Sequence, residues 1–462
     1  MLRSLWLFGL YVAFVVLGAA APFVATLGYV WVDIFQPQNV AYILLNQFPV
    51  AMVMGVLAFG TYLLFDRRSP PPIGIETILQ VTIAVYMTAS MFWAVRPDAA
   101  WEKWDWAFKT MVFAAFVPFV IRSRVQIEAM ATTYVFSLAA NFVPFGLKTI
   151  ISGGGYGTNL GLQGGNAGLA EGGQLSTVCL MAVPLAVFLS RHGQLIPRMK
   201  VMPLAYWAVA ALALITAIGT YERSALIGLL AILAFMVARS KHKIGYTMLA
   251  TFVLAGLFYF TSAQWVERIS TIKSFDQESS AYTRILVWKW TLGFVGEHPF
   301  GGGLMAFLVN HIELPAMDGG PAQIQFGRAF HSIYFEMLGE LGYPGLFMFL
   351  TVALVSFIRL FRTARRARKY PELEWVWALS NALQAGMAAY LTAGAFVSIA
   401  FVPMFWYFIA MSISLNAYMY RVEHGMAKDL QGWRATAAAP RPGGWRDRPA
   451  ALARSGPISR IR

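Results

Sequence analysis

Uncharged apolar runs long enough to cross a bilayer recur along this chain, and no other feature constrains its fold so strongly. The stretches Thr77–Val95 and Leu346–Ile358 hold no Asp, Glu, Lys or Arg, and about 18 to 20 apolar residues span the roughly 30 Å of membrane hydrocarbon. Only 13% of the 462 residues are charged and 58% are hydrophobic, whereas soluble domains are about a quarter charged. The chain therefore reads as an all-α, polytopic bundle of membrane helices. The apolar run after Met1-Leu2-Arg3-Ser4 is longer than the roughly 7 to 15 residues of a signal-peptide core, so it is predicted to remain as the first membrane segment. Pro22 leaves open whether that segment is one span or two.

The net charge of +14 is a topology signal rather than a sign of nucleic-acid binding. Basic residues gather at Arg67-Arg68, Arg122 with Arg124, Arg191 to Lys200, Arg239 to Lys243, Arg359 to Lys369 and after Arg421. The positive-inside rule places these connections in the cytoplasm. Spans are then predicted near 5–34, 43–65, 73–95, 107–121, 126–149, 175–190, 203–221, 225–238, 244–262, 332–357, 375–395 and 398–419. About twelve crossings put both termini in the cytoplasm of a multi-pass inner-membrane protein whose partners include membrane lipids. Three regions follow: membrane helices at 1–200, membrane helices with a long outer loop at 201–420, and a disordered basic cytoplasmic tail at 421–462, rich in Ala, Pro, Gly and Arg.

The outer connections are 35–42, 96–106, 150–174, 221–224, 263–331 and a link near 396. Only 263–331 is long, and long outer loops tend to carry function. Within it, Ile285, Trp288, Leu292 and Val295 form one stripe of an amphipathic helix. The Gly-rich 150–174 matches no phosphate-binding fingerprint and reads as a flexible loop. Glu297-His298-Pro299-Phe300-Gly301-Gly302-Gly303 reads as the stop of the amphipathic helix. Cys179, the single cysteine, lies in an apolar stretch, which excludes an intrachain disulfide and a cysteine-based metal site.

Ten of the 36 Lys and Arg residues fall outside the cytoplasmic connections: Arg96, Lys103, Lys109, Lys148, Arg223, Arg268, Lys273, Arg284, Lys289 and Arg328. Arg223 stands in an outer turn between two apolar helices, where a guanidinium is costly unless paired. It is either an ion pair with Glu222 or a fixed anion-binding group. Arg284 opens the amphipathic stripe on the side of Trp288, whose ring can orient it. A guanidinium suits a diphosphate because its planar fork donates paired hydrogen bonds and stays charged. Arg268 is an anchor or a ligand on equal terms. His331 stands where the long loop re-enters the membrane, beside Arg328. An imidazole there is either a packing group or a base for a hydroxyl proton, with its pKa lowered by nearby arginine. Glu336 and Glu340 follow on the same span, and Glu340 is either a helix-pairing group or part of a proton path. His298, His311 and His331 are spaced 13 and 20 residues apart, which matches no metal-ligand pattern. No metal or other cofactor is expected.

The ordered set of Arg223-Ser224, Arg284 with Trp288, Glu297 to Gly303, and His331-Ser332-Ile333-Tyr334 followed by Leu338, Glu340 and Gly342 resembles the O-antigen ligase and polymerase superfamily. The N-terminal segments VWVDIFQPQNVAY, AWEKWDWAFKTM and ISGGGYG resemble the exosortase-associated O-glycosylation ligases, so the likeness covers roughly residues 1–420. It implies a lipid-linked glycosyltransferase fold with a periplasmic active site and no metal requirement. The donor would be a glycan on undecaprenyl diphosphate, held by Arg223 and Arg284. His331 would serve as base or positioning group for the hydroxyl of a protein, lipid or glycan acceptor, with inversion at the anomeric carbon. Arg268, Arg328, Trp288 and Glu340 complete the expected substrate-binding set. The rivals are a repeat-unit polymerase of the same superfamily and a non-enzymatic transporter of the same lipid-linked glycan. Two positions depart from the pattern: Glu222 where relatives often have Ser, and Gln38-Asn39 in place of a His-Arg pair.

Overall fold

The computed structural model describes residues 2–41, 45–66, 68, 71, 73–152, 169, 171–196, 201–239, 243–245, 247–248, 251, 279–314 and 323–426. Arg268, most of the predicted span 244–262, most of the Gly-rich 150–174 and most of the tail lie outside them. Met1–Met419 form one compact unit and Tyr420–Arg462 a second.

Pro22 does break the first membrane segment. Helix α1 (Leu2–Ala20) ends at Ala21, whose extended backbone leads into α2 (Pro22–Phe35) with proline at its start, a position where the missing N–H costs nothing. The two helices turn back on each other, since a Cβ added to Gly18 would lie 2.9 Å from that of Ala25, and one added to Gly28 would lie 3.0 Å from that of Phe14. At 14 residues, α2 is only about 21 Å long. Near the open end of this hairpin the Arg3 guanidinium donates to the Val40 carbonyl at 2.8 Å. The N-terminus and residues 35–42 thus share one end of the bundle, which corrects the expectation that they lie on opposite faces.

Short α3 (Pro37–Val40) precedes α4 (Val50–Phe65) and α5 (Ile75–Ala89). Helix α6 (Pro97–Val120) absorbs the expected 96–106 loop, because Pro97 opens it and Asp98 in its first turn favours that end. After α7 (Arg124–Ser152), α8 (Gly172–His192) is the most enclosed of the long apolar helices, packing on α9 (Val201–Gly219) and on a later helix, α13 (Glu374–Ala393). The turn after Gly219 leads into α10 (Arg223–Arg239).

The described part of the long loop is ordered structure. Helix α11 (Ser279–Glu297) is followed by two four-residue strands, β1 (His311–Leu314) and β2 (Gln323–Phe326), paired antiparallel with His311 opposite Phe326. This ribbon is an addition to the all-α expectation. Val287, Ala306, Ile312 and Phe330 form a small core beneath it. The buried face of α11 is Val287, Thr291 and Val295, whereas Leu292 is 53% exposed, so the predicted stripe is rotated. The helix turns toward the ribbon and the 35-residue α12 (Ile333–Ala367), which Leu292 does not face. Helix α14 (Pro403–Glu423) completes the bundle.

Among the described residues, six helices are long and apolar enough to cross a membrane, and Pro22–Phe35 and Val50–Phe65 are shorter apolar helices. The count of about twelve is not confirmed among the described residues. Helix α10 has 17 residues, and α13 dilutes its hydropathy with Ser380, Asn381 and Gln384. Basic side chains collect at one end: Arg68 donates to the Val120 carbonyl at 3.1 Å, and Arg124 to that of His192 at 3.5 Å. The start of α8, the 220–222 turn, His331 and residues 394–400 stand at the other.

Candidate active site at the loop end of the bundle

Three turns meet at the end opposite the basic connections. Tyr221 takes a left-handed backbone (φ 52) so that the chain can reverse between α9 and α10. Glu222 then lies against the start of α8: a Cβ on Gly172 would be 3.1 Å from its Cγ. A Cβ on Gly173 would similarly be 3.1 Å from Val397 and 3.5 Å from the Ser224 hydroxyl. The turn that carries Arg223 is therefore locked between α8 and the 394–400 link, and glycine at 172 and 173 is what permits the approach. Arg223 is itself engaged in an interaction.

Glu171, just before α8, joins this cluster. Withdrawal from water and the Glu222 charge both push its carboxyl above the ordinary range, while the Arg284 guanidinium draws it down. Glu171 was not singled out from the sequence.

Helix α11 brings Arg284 and Trp288. The Trp288 ring stacks on Phe335 at 5.0 Å with 2° between planes, and its indole N–H donates to the Phe330 carbonyl at 2.8 Å. That bond holds the residue before His331. His331 is half-buried and left-handed (φ 46), a conformation a non-glycine residue keeps only when its surroundings enforce it. Burial first, then the charges of Arg284 and Arg328, lower its pKa to about 4. Its imidazole is accordingly neutral at physiological pH and carries a free lone pair. Arg328 is exposed, its Nε donating to Gln325 at 2.7 Å, and Asn310 clamps its backbone by accepting from the N–H at 2.9 Å and donating to the carbonyl at 2.6 Å. Asn310, fully buried, was also missed.

Behind His331 lies a buried ion cluster. Lys103 Nζ donates to Glu336 at 2.7 Å and to Glu340 at 2.8 Å, with the Phe401 ring 4.7 Å away. Glu336 also accepts from the Ala400 N–H at 2.9 Å, and Glu340 from the Met305 N–H at 3.0 Å. Each carboxylate thus ties α12 to another segment. A buried lysine is tolerable because two acids compensate it, which explains its departure from the topology rule. The Gly301–Gly303 turn docks at the break in α12 at Gly342 (φ 66). The N–H groups of Gly302 and Gly303 donate to the carbonyls of Gly339 and Glu340 at 3.0 Å each, and Tyr343 N–H donates to Pro299 at 3.0 Å. A Cβ on Gly301 or Gly342 would overlap the opposing backbone. The motif is more than a helix stop.

The structure thus gathers Arg284, Trp288, Arg328 and His331, with Glu171 within electrostatic reach of both Arg284 and Glu222. Glu340 is fully buried in the ion cluster. His298 stacks on Phe294 at 4.4 Å, and His311 is exposed on β1. Chemically, a neutral imidazole flanked by guanidinium groups can take a hydroxyl proton while the cations receive an anion.

Residues 2–194 match a family of unknown function (DUF5935), and residues 208–350 match the family described as O-Antigen ligase. No curated protein matches the chain.

Proposed function

With residues 208–350 belonging to the O-antigen ligase superfamily, we propose that this membrane protein transfers a glycan from undecaprenyl diphosphate to an acceptor hydroxyl. The observation that carries the reading is the position of Arg284, whose charge acts on His331 on one side and on Glu171 on the other. One guanidinium thus stands within electrostatic reach of a neutral imidazole.

In the proposed step, His331 accepts the acceptor's hydroxyl proton as the oxygen bonds to the anomeric carbon. The bond from that carbon to the diphosphate oxygen breaks, and undecaprenyl diphosphate departs with its electron pair. One displacement inverts the anomeric centre. Arg223 and Arg284 receive the charge that grows on the leaving group. Arg328, Arg268 and Trp288 bind substrate, and Glu340 positions the loop. The dianionic donor would also raise the His331 pKa as it binds, making the base stronger in the complex than in the free protein. Because arginine-rich connections favour the cytoplasm, the His331 end is assigned to the periplasm. With residues 35–42 assigned to the outside, the N-terminus, whose Arg3 bonds to Val40, is proposed to lie outside as well.

The test is transfer by purified protein in nanodiscs, with a defined undecaprenyl diphosphate glycan, a chelator, and protein, lipid and glycan acceptors offered separately. Product on one acceptor, lost in Arg223→Ala, Arg284→Ala and His331→Ala, is expected. Full activity in all three variants overturns the assignment, and donor binding without product on any acceptor favours a transporter.

A further inference from the structure

At the basic end, far from His331 along the helices, a cavity of about 390 Å³ opens between α8, α10 and α13. That volume falls within the roughly 300 to 1,000 Å³ of small-ligand sites. Its wall is apolar, with Phe188 and Met236 among the lining residues, while Arg191, His192, Arg239 and Arg368 supply its polar edge. No Asp or Glu is among the described residues that line it.

The three guanidinium groups are braced. Arg191 lies 5.7 Å from the Trp207 ring and Arg368 5.3 Å from that of Trp377. Arg239 sits 4.7 Å from the Phe361 ring and 5.6 Å from that of Phe235, and its Nη2 donates to Gln384 at 2.8 Å. Its buried Nε has no hydrogen-bond partner among the described residues. Three fixed cations around a space with no carboxylate among its described lining residues call for an anion. The apolar wall calls for hydrocarbon in the same space.

We propose that this cavity binds an anionic phospholipid, its phosphate meeting Arg191, Arg239 and Arg368 and part of an acyl chain lying along Phe188 and Met236. One molecule then satisfies both the cations and the apolar wall, which neither free phosphate nor a neutral lipid does. A zwitterionic headgroup would bring an ammonium that finds no acid among the described lining residues; the Glu374 carboxylate, which acts on His192, is not one of them. Basic pockets between membrane helices on the cytoplasmic side are suited to such headgroups. The inference shares no residue with the proposed transfer site and stands whether or not that reading holds.

The test uses the delipidated full-length protein in mixed micelles with phosphatidylglycerol or phosphatidylcholine, followed by thermal unfolding and by native mass spectrometry of retained lipid. Phosphatidylglycerol should raise the unfolding temperature and remain bound, and phosphatidylcholine should do neither. The double variant Arg239→Gln/Arg368→Gln should need about thirtyfold more phosphatidylglycerol for the same effect. Met236→Trp, which fills the cavity and keeps every arginine, should also lose lipid retention and decides the matter if the double variant does not fold. Equal responses to both lipids, an unchanged response in Met236→Trp, a full response to inorganic phosphate alone, or retention of polyprenyl phosphate in place of phosphatidylglycerol would each overturn the proposal.

Discussion

The indole N–H of Trp288 donates to the carbonyl of Phe330, so a side chain on α11 holds the peptide unit immediately ahead of His331. Two halves of the candidate site, far apart in sequence, are joined by one hydrogen bond.

Trp288→Phe keeps an aromatic ring for Phe335 and removes the donor. A typical hydrogen bond contributes about 1 kcal/mol, so the unfolding temperature should change little. The transfer rate should fall roughly fivefold or more as the left-handed His331 loses its tether. Rates and thermal unfolding measured side by side separate the two effects; a large loss of stability with proportionate activity would contradict this role.

The pH dependence follows from His331. Its pKa of about 4 leaves the imidazole neutral from pH 8 down to pH 5, so kcat/KM should show no imidazole limb near pH 6.5 and should decline only as pH approaches 4. Stability follows the same sign: the unfolded chain binds this proton more readily, so the contribution of His331 is full above pH 6.5 and is lost as pH falls toward 4. A pH–rate profile and unfolding at several pH values check both.

Arg284→Gln removes a cation that disfavours the imidazolium. The His331 pKa should rise, and the acid limb of residual activity should move upward by a measurable fraction of a unit while stopping short of 6.5, because burial is the larger cause. Histidine titration by NMR, with His331→Gln to assign the signal, reads this directly.

Lys103→Met leaves Glu336 and Glu340 buried without their cation, and breaking one member of such a cluster costs about 3 to 5 kcal/mol. The single variant should unfold far earlier than the wild type on heating in detergent. The triple variant Lys103→Met/Glu336→Gln/Glu340→Gln should recover much of that loss, since no unpaired charge remains.

Gly342→Ala places a Cβ against the Pro299 carbonyl at a backbone angle that disfavours any side chain. A cost of about 1 to 3 kcal/mol is expected, together with loss of the contact between the Gly301–Gly303 turn and α12. Proteolysis within 298–303 should accelerate relative to the wild type.

Arg223, Arg284 and His331 stand out in the sequence because each is a cation or an imidazole on the face the topology rule keeps clear of Lys and Arg, and of the three the structure sets Arg284 within electrostatic reach of His331. Lys103 broke the same rule, but its partners lie over 230 residues away, beyond any local pattern. Glu171 sits at the edge of a Gly-rich stretch without periodicity, so nothing marked it as a neighbour of Arg284. The strands β1 and β2 do alternate, in His311-Ile312-Glu313-Leu314 and Gln323-Ile324-Gln325-Phe326, yet four residues are too few to outweigh a helical reading. Pro22 announced a break, while the reversal that follows depends on Gly18 and Gly28 admitting neighbours closely, a tertiary fact. Individual apolar helices read well because their length is set by the bilayer, while their number does not: six reach spanning length among the described residues against about twelve expected. Nor do their lateral neighbours, since in lipid the outward and inward faces are both apolar.

The break at Gly342 splits α12 into two lengths with different allegiances. The stretch before it, which carries His331 at its head, is fastened to the loop through Gly302, Gly303 and Met305, while the stretch after it runs on into the bundle. His331 therefore heads a stretch with two anchors, the loop on one side and, through Glu336 with Lys103 and Ala400 and through Tyr334 with Leu391, the bundle on the other. Under the proposed transfer, substitutions in 298–305 would loosen the loop anchor and leave the bundle anchor in place, a route by which the proposed acceptor site could vary without rebuilding the transmembrane frame.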